Sequence, residues 1–422
     1  MWFALALFVL TYIMLLILPK ARALTALCSA VLFVVSGTMP ASKVFSAVDW
    51  NALLMIAGTM GIVTLFIESK MPLFLADLII DKMPDVRWVI IMLSLFAGLI
   101  SAFVDNVATV LMVAPVAVVV AKKLETSPVP FVIAIAISSN LQGAATLVGD
   151  TTSILLGDYA GLDFVDFFFY HGRIGMFWVV QIGALLSAVV LLVLFRKQRQ
   201  KVSLSERSVV QDYVPTILLI GMIVLLIFAS FLNNKPSITN GLICIGVLLI
   251  GLIRQMIRTK AIQSSLVRIA KEIDWTTLVL LMSLLIVIAG ISEAGVVDAI
   301  SRLFVQFSGG NLFAIYTMFV FASVLFSAFI DNIPYVATML PVTASTASLL
   351  GVDPTILYFG LLCGATLGGN LTPIGASANI TALGILQRNG YPVRAKEFMK
   401  ISVPFTMVAV LTGYLLIWLI WS

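Results

Sequence analysis

The sequence predicts an all-α integral membrane protein built from two inverted repeats. Three observations support this fold class: a strongly apolar composition, an internal repeat, and polar interruptions inside long apolar blocks. Of 422 residues, 61% are hydrophobic and 11% are charged, whereas soluble domains average roughly 45–50% apolar and about 25% charged residues. A water-soluble core could not bury this surplus, so we expect a multi-pass protein of a bacterial-type inner or plasma membrane with the lipid bilayer as its main partner.

Several function classes are excluded by composition. The net charge of +5 is small and dispersed, which argues against nucleic acid as a partner. Three separated cysteines and a single histidine offer neither a disulfide framework nor a metal centre. No phosphate-binding GxxxxGK[ST] loop is present, so the chain itself should not hydrolyse ATP. We therefore expect no enzyme activity and no cofactor. Residues 1–18 are interpreted as a first span and not as a signal peptide.

An internal repeat divides the chain. The motif SAFVDNV at 101–107 returns as SAFIDNI at 327–333, which is an offset of 226 residues. TLVG at 146–149 aligns with TPIG at 372–375 at the same offset. The sequence thus predicts a duplication, with a first repeat at 1–195, a cytoplasmic linker at 196–212 and a second repeat at 213–422.

Hydropathy gives the two halves the same order of elements. Each half is predicted to contain three spans, a re-entrant hairpin, a broken helix and a last span. For the first half these lie near 2–18, 22–38, 48–67, 87–122, 129–160 and 173–195. For the second half they lie near 213–232, 237–253, 273–292, 311–350, 354–386 and 399–421.

The distribution of basic residues orients these elements. If each hairpin returns to its own side, each half crosses the membrane five times, and the odd number inverts the second half. Cytoplasmic segments then hold 21 of the 25 Lys and Arg residues, as the positive-inside rule requires, and both termini lie outside. Plain double crossings would also give odd repeats. The polar tips favour hairpins, because a turn at mid-membrane must be satisfied by protein or cavity water.

Inverted repeats with broken helices are typical of secondary transporters. Asp105 and Asp331 occupy equivalent hairpin tips, and Asp150 lies in the first broken helix. Burying an aspartate in a membrane costs about 2.5–3.5 kcal/mol, so these carboxylates should bind a cation, take up a proton or border water. Capping of the following half-helix is the structural alternative. We expect Asp105 and Asp331 to carry proton coupling.

Small polar residues and glycines in the four interruptions complete the predicted substrate and ion site. Hydroxyl and amide groups could bind a solute, and glycine lets unwound backbone approach it closely. The full set is Asp105, Asn106, Thr109, Thr146, Gly149, Asp150, Thr151, Ser153, Asp331, Asn332, Asn370, Thr372, Gly375, Ser377 and Asn379. Sodium, if it is the coupling ion, is expected at Asp105, Asn106, Asp331 and Asn332.

These motifs resemble the ion transporter superfamily. The resemblance covers nearly the whole chain and is closest to the branch of arsenite permeases, NhaD-type sodium–proton antiporters and the melanosomal P protein, with divalent anion:sodium symporters more distant. It rests on SAFVDNVATVL (101–111), GAATLVGD (143–150), GLDF (161–164), SAFIDNIP (327–334) and GGNLTPIGASAN (368–379).

The resemblance implies a scaffold and a moving transport domain, an elevator mechanism and a homodimer. An arsenite-type member would also have a soluble ATPase subunit as a partner. The chain departs from its dicarboxylate-carrying relatives, which have Ser-Asn-Thr at the tips where this chain has Asp105-Asn106-Val107 and Asp331-Asn332-Ile333. It also has Thr151-Thr152-Ser153 where relatives commonly show Pro-Pro-Asn. Acidic tips would repel a multivalent carboxylate.

The sequence therefore predicts proton- or sodium-coupled efflux of a small inorganic ion or oxyacid, such as arsenite or silicic acid. A sodium–proton antiporter is the alternative. Uptake of a dicarboxylate, citrate or another anion is disfavoured by the missing Lys or Arg in the interruptions. A channel would share the hydropathy but conduct faster, and an intramembrane enzyme would need a catalytic motif such as HExxH or GxSxG, which the sequence lacks.

Overall fold

Helices form most of the protein. A computed structural model describes residues 1–18, 21–201, 208–232, 234–259 and 273–422. The predicted linker at 196–212 thus falls partly outside the described residues. In the first half the helices are α1 (Trp2–Ile17), α2 (Arg22–Val35), α3 (Val44–Ala47), α4 (Trp50–Glu68), α5 (Met71–Ile80), α6 (Val86–Ser101), α7 (Asn106–Lys123), α8 (Val129–Gly143), α9 (Thr151–Ala160) and α10 (Met176–Leu194).

The second half has the corresponding helices. They are α11 (Val214–Ser230), α12 (Thr239–Thr259), α13 (Trp275–Glu293), α14 (Val296–Ser308), α15 (Leu312–Ser327), α16 (Asn332–Leu350), α17 (Thr355–Gly368), α18 (Ser377–Arg388) and α19 (Ala395–Trp421). Short 3-10 turns occur at Ala41–Lys43, Val165–Phe167 and Gly369–Leu371, and a small antiparallel hairpin joins β1 (Phe169–Tyr170) to β2 (Arg173–Ile174).

Many of these helices have the length and apolar composition of membrane-spanning helices. Among the described residues, seven helices are long and apolar enough to cross it, or eight if the bent pair α14 and α15 counts as one span. Other apolar helices, including α1, α2 and α6, have 10–17 residues. The length of the helices thus supports a multi-pass protein, and the predicted count of five crossings in each half stays a prediction.

Besides the four-residue α3, two helices, α5 and α14, were absent from the sequence-based assignment. Each follows a long span directly, after a residue with left-handed backbone: Lys70 (φ 58°) in the first half and Gly295 (φ 73°) in the second. These residues are 225 positions apart, the offset that also relates Trp50 to Trp275. In both halves the chain therefore changes direction sharply at the same place, and a short helix connects the long span to the hairpin.

The predicted hairpin blocks each contain two helices. Block 87–122 divides into α6 and α7, and block 311–350 divides into α15 and α16, with the polar tip between the helices in both. Each broken block also contains two helices, α8 with α9 and α17 with α18, separated by short non-helical segments at 144–150 and 372–376. The interruptions in hydropathy are therefore the places where helices stop.

Helix packing defines two groups. Helices α1 and α2 contact α13, and α4 contacts α11 and α12; we call these six helices the wall group. The hairpin and broken helices contact each other and the long helices α10 and α19; we call α6 to α10 and α15 to α19 the tip group. Glycines allow close packing within the wall group, since a Cβ on Gly58 would lie 2.6 Å from the backbone of Cys244.

Candidate functional site

The first hairpin tip is built around Asp105. Its carboxylate accepts hydrogen bonds from the backbone N–H groups of Val107 (3.0 Å) and Ala108 (3.1 Å), so it caps α7. The next residue, Asn106, is buried and donates to Oδ1 of Asn140 at 2.9 Å. The helix cap that sequence analysis gave as the alternative to ion binding is therefore present. Both hydrogen bonds go to the same carboxylate oxygen, so the other oxygen takes no part in the cap.

The second tip has the same cap but different partners. Asp331 accepts a hydrogen bond from the N–H of Ile333 at 3.3 Å through one oxygen. Its other oxygen accepts from Oγ of Ser377 at 2.9 Å and from Nη1 of Arg22 at 3.0 Å. Arg22 begins α2 in the wall group, which sequence reasoning did not connect to this tip. The two aspartates that the repeat makes equivalent thus lie in different electrostatic surroundings.

Each tip is held against the broken segment of its own half. Oγ1 of Thr146 donates to the carbonyl of Ala102, and Oγ1 of Thr372 donates to the carbonyl of Ala328. Both pairs are 44 residues apart, so the two halves repeat the contact. These threonines use their hydroxyl groups to position the tips.

Glycines make a second matched contact at the same places. A Cβ on Gly149 would lie 2.6 Å from the carbonyl oxygen of Gly143 and 2.9 Å from that of Ala102. A Cβ on Gly375 would lie 2.6 Å from the oxygen of Gly369. Real Cβ atoms essentially never approach so closely. Both glycines therefore permit tip and broken segment to pack backbone to backbone.

A buried amide network joins the two halves. Nδ2 of Asn140 donates to the carbonyl of Thr366 (2.8 Å) and to Oδ1 of Asn370 (3.1 Å), and Asn370 donates to the carbonyl of Ile137 (2.8 Å). Asn140 and Thr366 are 226 residues apart, so matched residues of the two halves contact each other. Sequence analysis missed Asn140, although an asparagine in a long apolar block was a usable signal.

Asp150 links the first broken segment to the second tip. It precedes α9 without capping it, and its Oδ2 instead accepts hydrogen bonds from Oγ1 of Thr152 (3.0 Å) and Nδ2 of Asn332 (3.1 Å). The side chain of Asp150 is buried. Two predicted site residues from different halves, Asp150 and Asn332, are therefore in direct contact.

A cavity of about 410 Å³ lies beside these groups. Three carboxylates line it: Asp105, Asp150 and Asp274. Asp274 caps α13 through the N–H of Thr277 at 3.1 Å, and it was not among the predicted site residues. The predicted residues that line the cavity are Asp105, Asn106, Asp150, Thr151, Asn332 and Ser377. Within the described part of the chain, no Lys, Arg or His lines it.

The other predicted site residues lie around this cavity but do not line it. Thr109 is buried in α7, Asn370 belongs to the amide network, and Thr146, Thr372, Gly149 and Gly375 hold the tips. Ser153 donates to the carbonyl of Gly143 (3.2 Å), and its repeat mate Asn379 donates to that of Gly369 (3.1 Å). The predicted set thus divides into residues that face the cavity, residues that support it, and Asp331, which does not line the cavity and instead pairs with Arg22.

Oxygen ligands for a cation come from several places. Among the described residues, no group of three or more His, Cys, Asp or Glu side chains is close enough to hold one metal ion. Oδ1 of Asn379, in contrast, is buried beside the broken segment 372–376 and has no hydrogen-bond partner among the described residues. A cation bound near these segments would therefore need amide and carbonyl oxygens as ligands in addition to a carboxylate. Sodium is a hard cation that prefers such oxygen ligands.

The sequence profile of a known family matches the chain. The family is described as citrate transporter, and its profile matches residues 12–358 and, in a second match, residues 242–422. The two matches overlap in the second half.

Relatives of the chain occur in bacteria and in animals. An uncharacterized transporter of Mycobacterium tuberculosis is 30% identical over 431 residues, which cover 99% of this chain and 97% of the relative. The human P protein is 26% identical over 94% of this chain, which spans 57% of the length of that protein.

Solved structures share the fold. The YdaH transporter of Alcanivorax borkumensis aligns with a TM-score of 0.59 at 15% identity, covering 89% of this chain and 86% of that one. Neisseria gonorrhoeae MtrF, described with a class of antimetabolite efflux pumps, aligns with a TM-score of 0.55 at 14% identity and covers 89% and 82% of the two chains. At these identities the likeness concerns the fold alone.

Proposed function

The chain belongs to the citrate transporter family and is a secondary transporter, and from this premise we propose that it exchanges protons or sodium ions for a small inorganic ion or oxyacid, in the direction of efflux. The observation that carries the proposal is the cavity lined by Asp105, Asp150 and Asp274 and, within the described residues, by no basic side chain.

The charge of the cavity favours a cation as the coupling ion. A carboxylate that is removed from water is stabilised by a bound cation or by protonation. Asp105 and Asp331 are the groups that we propose to load and release the coupling ion, with Asp150 as a further carboxylate nearby. Asn106 and Asn332, which line the same cavity as Asp105, would contribute amide oxygens to a sodium shell.

The polar groups of the cavity suit a neutral solute. The amides of Asn106 and Asn332 and the hydroxyls of Thr151 and Ser377 face the cavity, and each can donate and accept hydrogen bonds. A neutral oxyacid, such as arsenous or silicic acid, also donates and accepts through its hydroxyl groups. Such a solute would meet no charge repulsion from the three carboxylates.

The repeated contacts support an alternating mechanism. We propose that residues 1–195 and 213–422 are inverted repeats, with both termini outside, and that the tip group moves against the wall group as an elevator domain, in a homodimer. The support is the set of matched contacts in the two halves and the contact between Asn140 and Thr366, which are repeat mates.

Two other substrates have support from particular observations. A sodium–proton antiporter would use the same carboxylates with sodium itself as the substrate. The description of the family favours citrate, but free citrate would be repelled by three carboxylates, so citrate would have to enter together with cations that cancel its charge.

Flux into proteoliposomes tests the proposal. Purified protein would be reconstituted, and uptake of arsenite, silicic acid, sodium and citrate with and without Mg²⁺ would be measured under imposed proton and sodium gradients. We expect one gradient to drive accumulation of an oxyacid. Accumulation of sodium alone would favour the antiporter. Citrate uptake that depends on Mg²⁺ would favour citrate as the substrate. Flux of any of these solutes that does not depend on a gradient would contradict coupled transport.

A prediction about sidedness tests the inverted repeat. Cysteines placed at Ser127 and Asp353, exposed residues in the loops that follow the two hairpins, should react with a membrane-impermeant maleimide from the cytoplasmic and the external face respectively, because inverted hairpins enter from opposite sides. The background would first lose the native thiols Cys28, Cys244 and Cys363, of which only Cys28 is exposed. Labelling of both positions from the same side would refute the inversion.

A further inference from the structure

The two hairpin tips differ in one charged contact. Asp331 forms an ion pair with Arg22 at 3.0 Å, and both side chains are largely buried, with exposed fractions of 8% and 17%. Asp105, its repeat mate, accepts hydrogen bonds from its own helix only among the contacts that the structure gives. It faces the cavity, whereas Asp331 is not among the lining residues.

The arginine comes from the opposite helix group. Arg22 is the first residue of α2 in the wall group, and Asp331 caps α16 in the tip group. The corresponding helix of the second half, α12, begins with Thr239 and Asn240, neither of which is basic. Within the part of the chain that the structure describes, the repeat therefore offers no equivalent cation for Asp105, and the ion pair occurs at one tip.

A neutral contact joins the same two groups beside the ion pair. The hydroxyl of Tyr12 in α1 donates to the carbonyl of Pro334 at 2.7 Å and also contacts Oγ1 of Thr338. This contact holds α16 against the wall group without charge. It offers a matched control, since its removal disturbs the same interface and leaves Asp331 and Arg22 in place.

We propose that Arg22 competes with the coupling cation for Asp331. In this state the guanidinium of Arg22 supplies the positive charge that pairs with Asp331. A coupling cation that binds to Asp331 displaces the guanidinium. Because Arg22 belongs to the wall group, its displacement removes an ionic link between the two groups at the moment of loading. Arg22 would thus determine the cation affinity of the second tip and connect loading to movement. This inference rests on the proposed function.

Removal of the competitor should raise cation affinity. In Arg22→Gln, Asp331 is a buried carboxylate without its partner, a costly state that a bound cation relieves. Among the described residues, the carboxylates Asp105 and Asp150 interact electrostatically with Asp331, and both remain in the variant. The cation concentration for half-maximal binding should fall about tenfold or more, which corresponds to about 1.4 kcal/mol.

Cation binding by purified protein measures this effect independently of transport. A cation that binds the folded state raises the unfolding temperature, so melting curves would be recorded against NaCl, with choline chloride as the ionic control, and against pH at fixed salt. For sodium the half-maximal concentration should fall about tenfold or more in Arg22→Gln; for protons the midpoint should rise by about one pH unit or more. Tyr12→Phe should leave both midpoints at their wild-type values.

A second background separates charge competition from a structural effect. In Asp331→Asn, the additional Arg22→Gln exchange should not move either midpoint, because the site of competition is gone. The double variant also lacks an unpaired buried charge and should fold even if Arg22→Gln alone does not. In that case Arg22→Lys, a weaker competitor without the planar fork, should lower the half-maximal concentration by about twofold or more.

Unchanged midpoints in Arg22→Gln would refute the competition; if that variant does not fold, unchanged midpoints in Arg22→Lys would refute it. The competition is also refuted if Arg22→Gln shifts the midpoints in the Asp331→Asn background by as much as it does in the wild-type background. The proposed function fails separately, through absence of gradient-driven flux in the wild-type protein.

Discussion

We expect Asp105→Asn to abolish gradient-driven solute flux and to leave a folded, membrane-inserted protein. Asparagine has nearly the same volume and is itself a good helix cap, so α7 keeps its first turn. The variant loses the ionisable group that faces the cavity and can no longer load and release a proton or balance the charge of sodium. Flux in proteoliposomes under imposed proton and sodium gradients should fall to the level of empty vesicles.

The other aspartates should give a graded series. Asp331→Asn should also abolish coupled flux, because the second tip loses its cation site. Asp150→Asn should weaken flux less, since its repeat mate is Ala376, which cannot ionise. Asp298→Asn is the matched control, because Asp298 is exposed on α14 and contacts Ser345 away from the cavity. If Asp105→Asn and Asp331→Asn both keep wild-type coupled flux, the tip aspartates are helix caps only.

Gly149→Ala and Gly375→Ala should each destabilise the fold. A methyl group at Gly149 would lie within 2.9 Å of three carbonyl oxygens, from Gly143, Ala102 and Ser101, and the contacts at Gly375 are equivalent. These neighbours are backbone atoms, so they cannot rotate away as a side chain would. Overpacking of this kind costs about 1–3 kcal/mol or more. We expect a lower unfolding temperature and a smaller monodisperse yield after solubilisation.

Two other glycines provide controls for this prediction. A Cβ on Gly221 in α11 or on Gly246 in α12 would meet nothing within 4 Å. Alanine at these positions should leave the unfolding temperature unchanged or raise it, because alanine favours helix over glycine. Equal unfolding temperatures for Gly149→Ala and Gly221→Ala would show that the tips and broken segments do not pack as described.

The repeat made much of the site predictable. Two aspartates in apolar surroundings, each followed by asparagine, could be recognised from sequence alone, and so could the glycines of the interruptions. Asp105, Asn106, Asp150 and Asn332 do lie at one cavity. Their chemistry is unusual for a membrane interior, and that is why the local sequence was informative.

Contacts between distant segments could not be predicted in this way. Arg22 is 309 residues from Asp331, and a basic residue at the start of a span normally indicates the membrane edge. Asp274 had the pattern of an ordinary helix cap, and only the fold brings it to the cavity of Asp105. The short helices α5 and α14 were missed because each directly follows a long apolar span and is itself too short for a crossing.

The ratio of cations to solute moved tests cation-coupled transport most directly. Both fluxes would be measured in the same proteoliposomes, with the transported solute and with a pH- or sodium-sensitive dye, over a series of imposed gradients. We predict a small fixed ratio that does not change with the size of the gradient, at turnover rates of a carrier. Solute flux that leaves the proton and sodium gradients intact, or a ratio that varies with the gradient as in a channel, would contradict the account.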